Sequence, residues 1–195
     1  MNRISMKQNS TIHHRKSIRL KEYDYSQAGD YFVTLCTNEK VSVFGEVVED
    51  EVRLSPIGAI AKKCWNEIPK HFPMAELDAF VVMPNHIHGI IVLNDYGTDV
   101  QLNGMNKTVG VENIQPLPTT FQHVTSKSLG SIVRSYKAAV SRECRKRNIY
   151  DFSWQRNYYD HIIRDGKDLD RICEYIIDNP IKWYLDENNT NRPAE

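Results

Sequence analysis

Net charge is the first thing missing, since 25 Lys and Arg residues balance 25 Asp and Glu. Bulk charge therefore gives no sign of a polyanionic partner. No apolar run approaches the roughly 20 residues that cross a bilayer, and the polar N-terminus lacks the apolar segment of a signal peptide. A protein without membrane segments, located in the cytoplasm, is expected. The four cysteines, Cys36, Cys64, Cys144 and Cys173, show no C-x-x-C spacing, and three of them lie in apolar or amphipathic runs. Reduced thiols are the simplest account. There is no internal repeat and no coiled-coil heptad. With 195 residues the chain can bury a substantial core without disulfide or metal staples, and a second full domain is not expected.

The balanced total conceals an uneven distribution. Residues 1–21 carry Arg3, Lys7, Arg15, Lys16, Arg19 and Lys21 with no acid. Residues 127–147 carry Lys127, Arg134, Lys137, Arg142, Arg145, Lys146 and Arg147 against the single acid Glu143. Acids gather elsewhere, at Glu46, Glu49, Asp50 and Glu51. Two basic stretches on one folded face could hold a phosphate backbone, with Arg15, Lys16, Arg19, Arg134 and Lys137 as candidate contacts. Such runs are about as often solvated surface.

Residues 1–28 read as a basic arm. From Tyr31 to Thr37 the chain is rich in β-branched and aromatic residues and reads as a buried strand. Phe44 to Val48 and Val52 to Leu54 read as a short hairpin. Pro56 suits a helix start, and Ile57, Ile60, Ala61, Cys64, Trp65 and Ile68 follow at helical spacing. Leu77 to Met83 and His86 to Leu93 read as strands joined by a Pro84-Asn85 corner. The polar segment 94–126, with three glycines and two prolines, shows no period and reads as a mobile insertion. Leu129 to Arg147 is an amphipathic helix with a cationic face. Tyr158 to Arg164 reads as a last strand, and Asp168 to Asn179 as a helix stopped by Pro180. The order strand, helix, strand, strand, helix, strand is that of an α+β, ferredoxin-like (RRM-like) antiparallel sheet with helices on one face, a single domain over 29–195.

His86 and His88 open the apolar run His86-Ile87-His88-Gly89-Ile90-Ile91-Val92-Leu93. On a strand, alternate side chains share a face about 7 Å apart at Cα, so one metal ion could reach both imidazoles. This spacing permits metal binding without demanding it. Tyr175 and Asn179 stand four apart, on one face of a helical turn. Among other tyrosines, Tyr136, Tyr158 and Tyr159 have Val140, Ile162 and Ile163 at i+4, none of them a ligand. Tyr184 has Asn188 at i+4 and is the runner-up nucleophile, in a tail expected to fray beyond Pro180.

These residues resemble the HUH endonuclease superfamily, most closely its REP-associated tyrosine transposases. Asp24-Tyr25-Ser26, Tyr31 to Thr34, Met83 to His88, Trp154 to Arg164 and Tyr175 to Pro180 carry the resemblance. It implies an HUH-type fold and a divalent ion, magnesium or manganese, on His86, His88 and Asn179, where better-known relatives place glutamine at the last position. Tyr175 is then the nucleophile. The implied activity is single-stranded DNA cleavage and strand transfer beside hairpin-forming repeats, through a 5′-phosphotyrosine intermediate. His161, next to Asp160, is a possible second-shell partner of a ligand or proton acceptor. Two alternatives share the fold: a domesticated, non-catalytic hairpin-binding protein, and a nickase like the HUH replication initiators. Relatives include swapped homodimers and chains that complete the site alone.

Overall fold

The computed structural model describes residues 23–95 and 128–190. Arg15, Lys16, Arg19 and nearly all of the expected insertion lie outside the described residues. Six strands and four helices follow in order: β1 (Gly29–Cys36), β2 (Gly45–Val48), β3 (Glu51–Leu54), α1 (Pro56–Asn66), α2 (Ile68–His71), β4 (Ala75–Val82), β5 (His86–Leu93), α3 (Leu129–Lys146), β6 (Tyr159–Ile163) and α4 (Gly166–Asp178). The main sheet has the order β4-β5-β1-β6, and every pair in it is antiparallel. With α1 and α3 as the crossovers, this is the ferredoxin-like arrangement. The acidic hairpin β2-β3 forms a separate two-stranded sheet.

Central strands of a sheet covered on both sides are buried on both faces, and β1 and β5 are. Tyr31, Val33 and Leu35 point to one side with Ile87 and Ile91, into a core completed by α1 and α3. Ser55 caps α1, accepting from the amides of Ile57 and Gly58, and Pro56 fixes the first turn. Helix α3 buries Leu129, Ile132, Val133, Tyr136, Val140 and Cys144. The opposite face meets α4, a helix additional to the βαββαβ unit, which seats Ile172 and Ile176 on Phe32, Ile90 and Ile163. The sheet is thus covered on both sides.

Gly89 lets the first core close. Trp65 stacks on Phe80 with ring centroids 5.0 Å apart, and a Cβ at position 89 would lie 2.3 Å from Trp65 Cζ2. All four cysteines are free, as expected. Tyr23 and Tyr25, placed by sequence in the arm, pack against the core beside Tyr31. No helix of the described residues is long and apolar enough to cross a membrane. Gly89→Ala should destabilise the fold by about 1–3 kcal/mol through overpacking, read as a lower urea midpoint at unchanged slope.

Candidate functional site

Register puts the chemistry on the α4 face. Thr34 lies between His88 of β5 and Tyr159 of β6, so these three side chains form one row across the sheet. Phe32, one step along β1, stacks on the His88 ring at 5.3 Å. The two imidazoles converge at the start of β5, with Nε2 of His86 and Nε2 of His88 2.9 Å apart. Two nitrogens bound at right angles to one ion at about 2.1 Å would be about 3 Å apart.

The tautomer of His86 follows from its neighbour. Asn85 Nδ2 donates to the carbonyls of Lys40 and Asn188, at 2.9 and 2.7 Å. Its Oδ1 is then the acceptor for Nδ1–H of His86 at 2.9 Å, leaving His86 Nε2 with a free lone pair. Thr34 Oγ1 lies 2.9 Å from His88 Nδ1 and can hold that ring in the same tautomer. With both protons on Nδ1, both Nε2 lone pairs face the same space and are available to one cation. Both rings are buried. Burial and then the charge of Lys40 push His86 down to about 3. Burial, then His86, lowers His88 well below its ordinary range. Neutral imidazole is the ligating form.

The third group is Asp186, which sequence reading missed. His86, His88 and Asp186 each offer a ligand atom, all within 4.8 Å of one another and all buried. Asn179, at the C-terminal cap of α4, donates from Nδ2 to Asp186 Oδ2 at 3.1 Å. Its own Oδ1 is buried with no hydrogen-bond partner among the described residues. An orphaned amide oxygen beside a carboxylate and two imidazole lone pairs fits a hard or borderline divalent cation. The stretch from 181 to 190 does not fray, contrary to the expectation from sequence. A turn at Trp183–Leu185 packs Trp183 against His86, and Asn85 holds the Asn188 carbonyl. Tyr184 is 62% exposed.

Tyr175 projects from α4 to place its hydroxyl 3.1 Å from His88 Nε2. Burial, then the charge of Asp186, push the phenol up to about 12 against an opposing hydrogen bond from Asn179, with Glu187 adding a smaller push upward. His161 bonds Asp168 at 2.7 Å, on the same sheet face but one row away from His88. Arg134 is an exposed residue of α3. Lys137, expected to face DNA, instead turns inward: its ammonium donates to the carbonyls of Gln155 and Asn157 at 2.8 and 3.1 Å and lies over the Trp154 ring. Burial brings it down to about 8.

Comparison with known proteins adds three likenesses. An uncharacterized protein of Haemophilus influenzae is 44% identical over 185 residues, 94% of this chain and 98% of the other. A second protein of that organism, named as a candidate REP-associated tyrosine transposase, is 26% identical over 82% of this chain and 74% of its own. Among solved structures, a REP-associated tyrosine transposase bound to a REP hairpin shares the fold at a TM-score of 0.54 and 20% identity, covering 84% of this chain and 74% of the other. No family model matches the chain.

Two outcomes check the site. Manganese should raise the melting temperature of the parent, and Asp186→Ala should cut manganese affinity by at least tenfold in calorimetric titration. The second concerns acid. Because the folded imidazoles take up protons only far below the unfolded value of about 6.5, stability should be full above pH 6.5 and fall as pH drops toward 3. In urea titrations at pH 7 and 4.5, the double variant His86→Gln/His88→Gln should show a smaller loss than the parent.

Proposed function

Because the chain belongs to one family with that uncharacterized Haemophilus influenzae protein, and resembles the REP-associated tyrosine transposases in sequence and fold, we propose that it is a metal-dependent single-stranded DNA endonuclease and strand transferase with Tyr175 as nucleophile. The observation that carries this is the phenol of Tyr175 meeting a buried pair of imidazole nitrogens. Tyr175 Oη attacks a phosphorus, the bond from phosphorus to O3′ breaks, and the 3′-oxygen leaves as a hydroxyl. A 5′-phosphotyrosine linkage results. Because the phosphodiester energy is kept in that bond, a 3′-hydroxyl can reverse the step and join strands without ATP.

The fold places two obstacles before this reaction. A phenol near 12 is almost wholly protonated at neutral pH, and the nearest charged groups, Asp186 and Glu187, repel both phenolate and phosphate. Magnesium or manganese held by His86, His88 and Asp186, with Asn179 Oδ1 as a further donor, would supply the charge that favours phenolate and takes up negative charge on the phosphate. The chain itself holds His86 neutral through burial and in its Nδ1–H tautomer through Asn85, fixes Asp186 through Asn179, and presents Tyr175 on a helix anchored by Ile172 and Ile176. Phe32 keeps water from one side of His88.

The substrate follows from access, since a single strand can bend its backbone into the recess beneath α4 and a stacked duplex cannot. A hairpin beside the cleavage point is the partner by analogy with the hairpin-bound structural neighbour. Exposed Arg134, Arg142, Arg145, Lys146 and Arg147 of α3 are the proposed phosphate contacts for it. The test incubates the protein with hairpin-bearing single strands and manganese. The parent should form a covalent protein-DNA adduct stable to boiling in detergent, and Tyr175→Phe should lose it by at least a thousandfold while binding within about threefold of the parent. An equal adduct yield in Tyr175→Phe would remove this assignment.

A further inference from the structure

Beside the histidines lies a cleft of about 530 Å³ whose lining includes Phe32, Thr34, Tyr159, Tyr175, Gln155 and Asn157, within the range of small-ligand pockets. Thr34 forms the floor, between His88 and Tyr159 in register. Tyr159 stands two strand spacings, about 10 Å, from His88. It is 46% exposed and Tyr175 is 43% exposed, so each offers part of a ring to the opening. Between them the wall is neutral and polar. Gln155 and Asn157 are exposed, and their backbone carbonyls are both taken by the Lys137 ammonium. The bridge between Thr37 and Trp154 and the bond from the Gln155 amide to the Cys36 carbonyl tie the same segment to β1. A loop fixed by backbone bonds keeps its two amide side chains available at the cleft.

The composition of this wall selects its occupant. Away from His88 and Tyr175, where the proposed ion would take up the scissile phosphate, a second phosphate would need several cations, yet the lining has one, Lys40, whose ammonium already donates to the Glu187 carbonyl at 3.3 Å, and Glu187 adds an opposing charge. An aliphatic ligand would leave the amides unpaired. A planar neutral heterocycle with polar edges satisfies rings and amides together. We infer that this cleft is a nucleobase pocket: the unpaired base adjoining the phosphate at Tyr175 stacks on Tyr159, and Gln155 and Asn157 read its edge. Lys137 is a positioning residue that holds the reading loop, which accounts for a half-buried lysine whose ammonium is spent on two carbonyls. The inference rests on the proposed reaction for the identity of the strand and goes beyond it in assigning base preference to residues 155–159.

The experiment reads binding alone, in the Tyr175→Phe protein with chelator present, so that cleavage plays no part. The probes are single strands of about twelve nucleotides, composed of dA, dC, dT or alternating dG and dT, and an oligo-dT with one central 2-aminopurine. Stacking of the fluorescent base should quench it. Adding Tyr159→Ala should abolish the quenching and weaken binding about five- to hundredfold, and Tyr159→Phe should restore both. Gln155→Ala with Asn157→Ala should flatten the ranking among the four compositions while costing less affinity than Tyr159→Ala. Binding within twofold and unchanged quenching in Tyr159→Ala would overturn the pocket, even with adduct formation by Tyr175 intact. Conversely, Tyr159-dependent quenching with no adduct on any strand would leave the pocket standing and remove the chemistry.

Discussion

One buried amide joins the parts of this site. Asn85 is fully buried, and its side chain bonds three chain segments: the Lys40 carbonyl, the Asn188 carbonyl and the His86 ring. Its backbone carbonyl takes the amide and hydroxyl of Thr37. No hydrophobic side chain of similar size could replace it without stranding several polar groups, each at about 1–3 kcal/mol. The bonds are also directional. By donating twice, the amide forces its oxygen toward His86, and that choice turns the ring's lone pair inward. A ligand tautomer is thus decided by two carbonyls that are distant from each other in sequence.

The second constraint comes from layering. A ferredoxin-like sheet needs cover on one face from its crossover helices, and here α4 covers the other. The site occupies the margin of that second layer, where Phe32, Ile90, Ile172 and Ile176 give way to Thr34, His86, His88 and Asp186. Dryness has two opposed effects. It holds both imidazoles neutral and ready to bind an ion, and it makes an uncompensated phenolate or carboxylate costly. A positive charge in this recess would offset that cost, and the oxygen of Asn179, buried and unpartnered among the described residues, would be a further donor to it.

Much of this was legible in sequence because it rests on period. Alternation in His86-Ile87-His88 gave the two imidazoles a shared face, helical spacing put Tyr175 and Asn179 on one face of their helix, and the order of apolar segments gave the sheet. The meeting of that helix with the histidines was implied only by the family resemblance. Asp186 was not legible. It lies beyond a helix-stopping proline in a segment with no period, held there by the backbone carbonyl of Asn188, which any residue would offer. Lys137 was misread for a related reason. The cationic side of α3 argues for solvent, but a strand-like segment with no apolar repeat folds over one of its lysines and consumes it. Arg134, three residues earlier on the same helix, has no such cover.

Under the proposed reading, the bond from Asn179 to Asp186 would let an asparagine serve where the resemblance implies glutamine in better-known relatives. A shorter side chain on α4 reaches less far toward the histidines, and the resemblance alone would leave the ion with a distant third ligand. Here the gap is filled from the other side, because Asp186 arrives on the turn after Pro180 and brings a carboxylate to within 3.9 Å of His86 Nε2. Asn179 then orients the carboxylate through Nδ2, while its buried Oδ1 has no hydrogen-bond partner among the described residues. A carboxylate also changes the electrostatics, since it offsets part of the charge of a divalent ion that a neutral glutamine would leave whole. The same negative charge raises the phenol of Tyr175. In the proposed reaction, tighter hold on a cation and a more reluctant nucleophile would both be consequences of one residue, and the rate would be set by how far the first compensates the second.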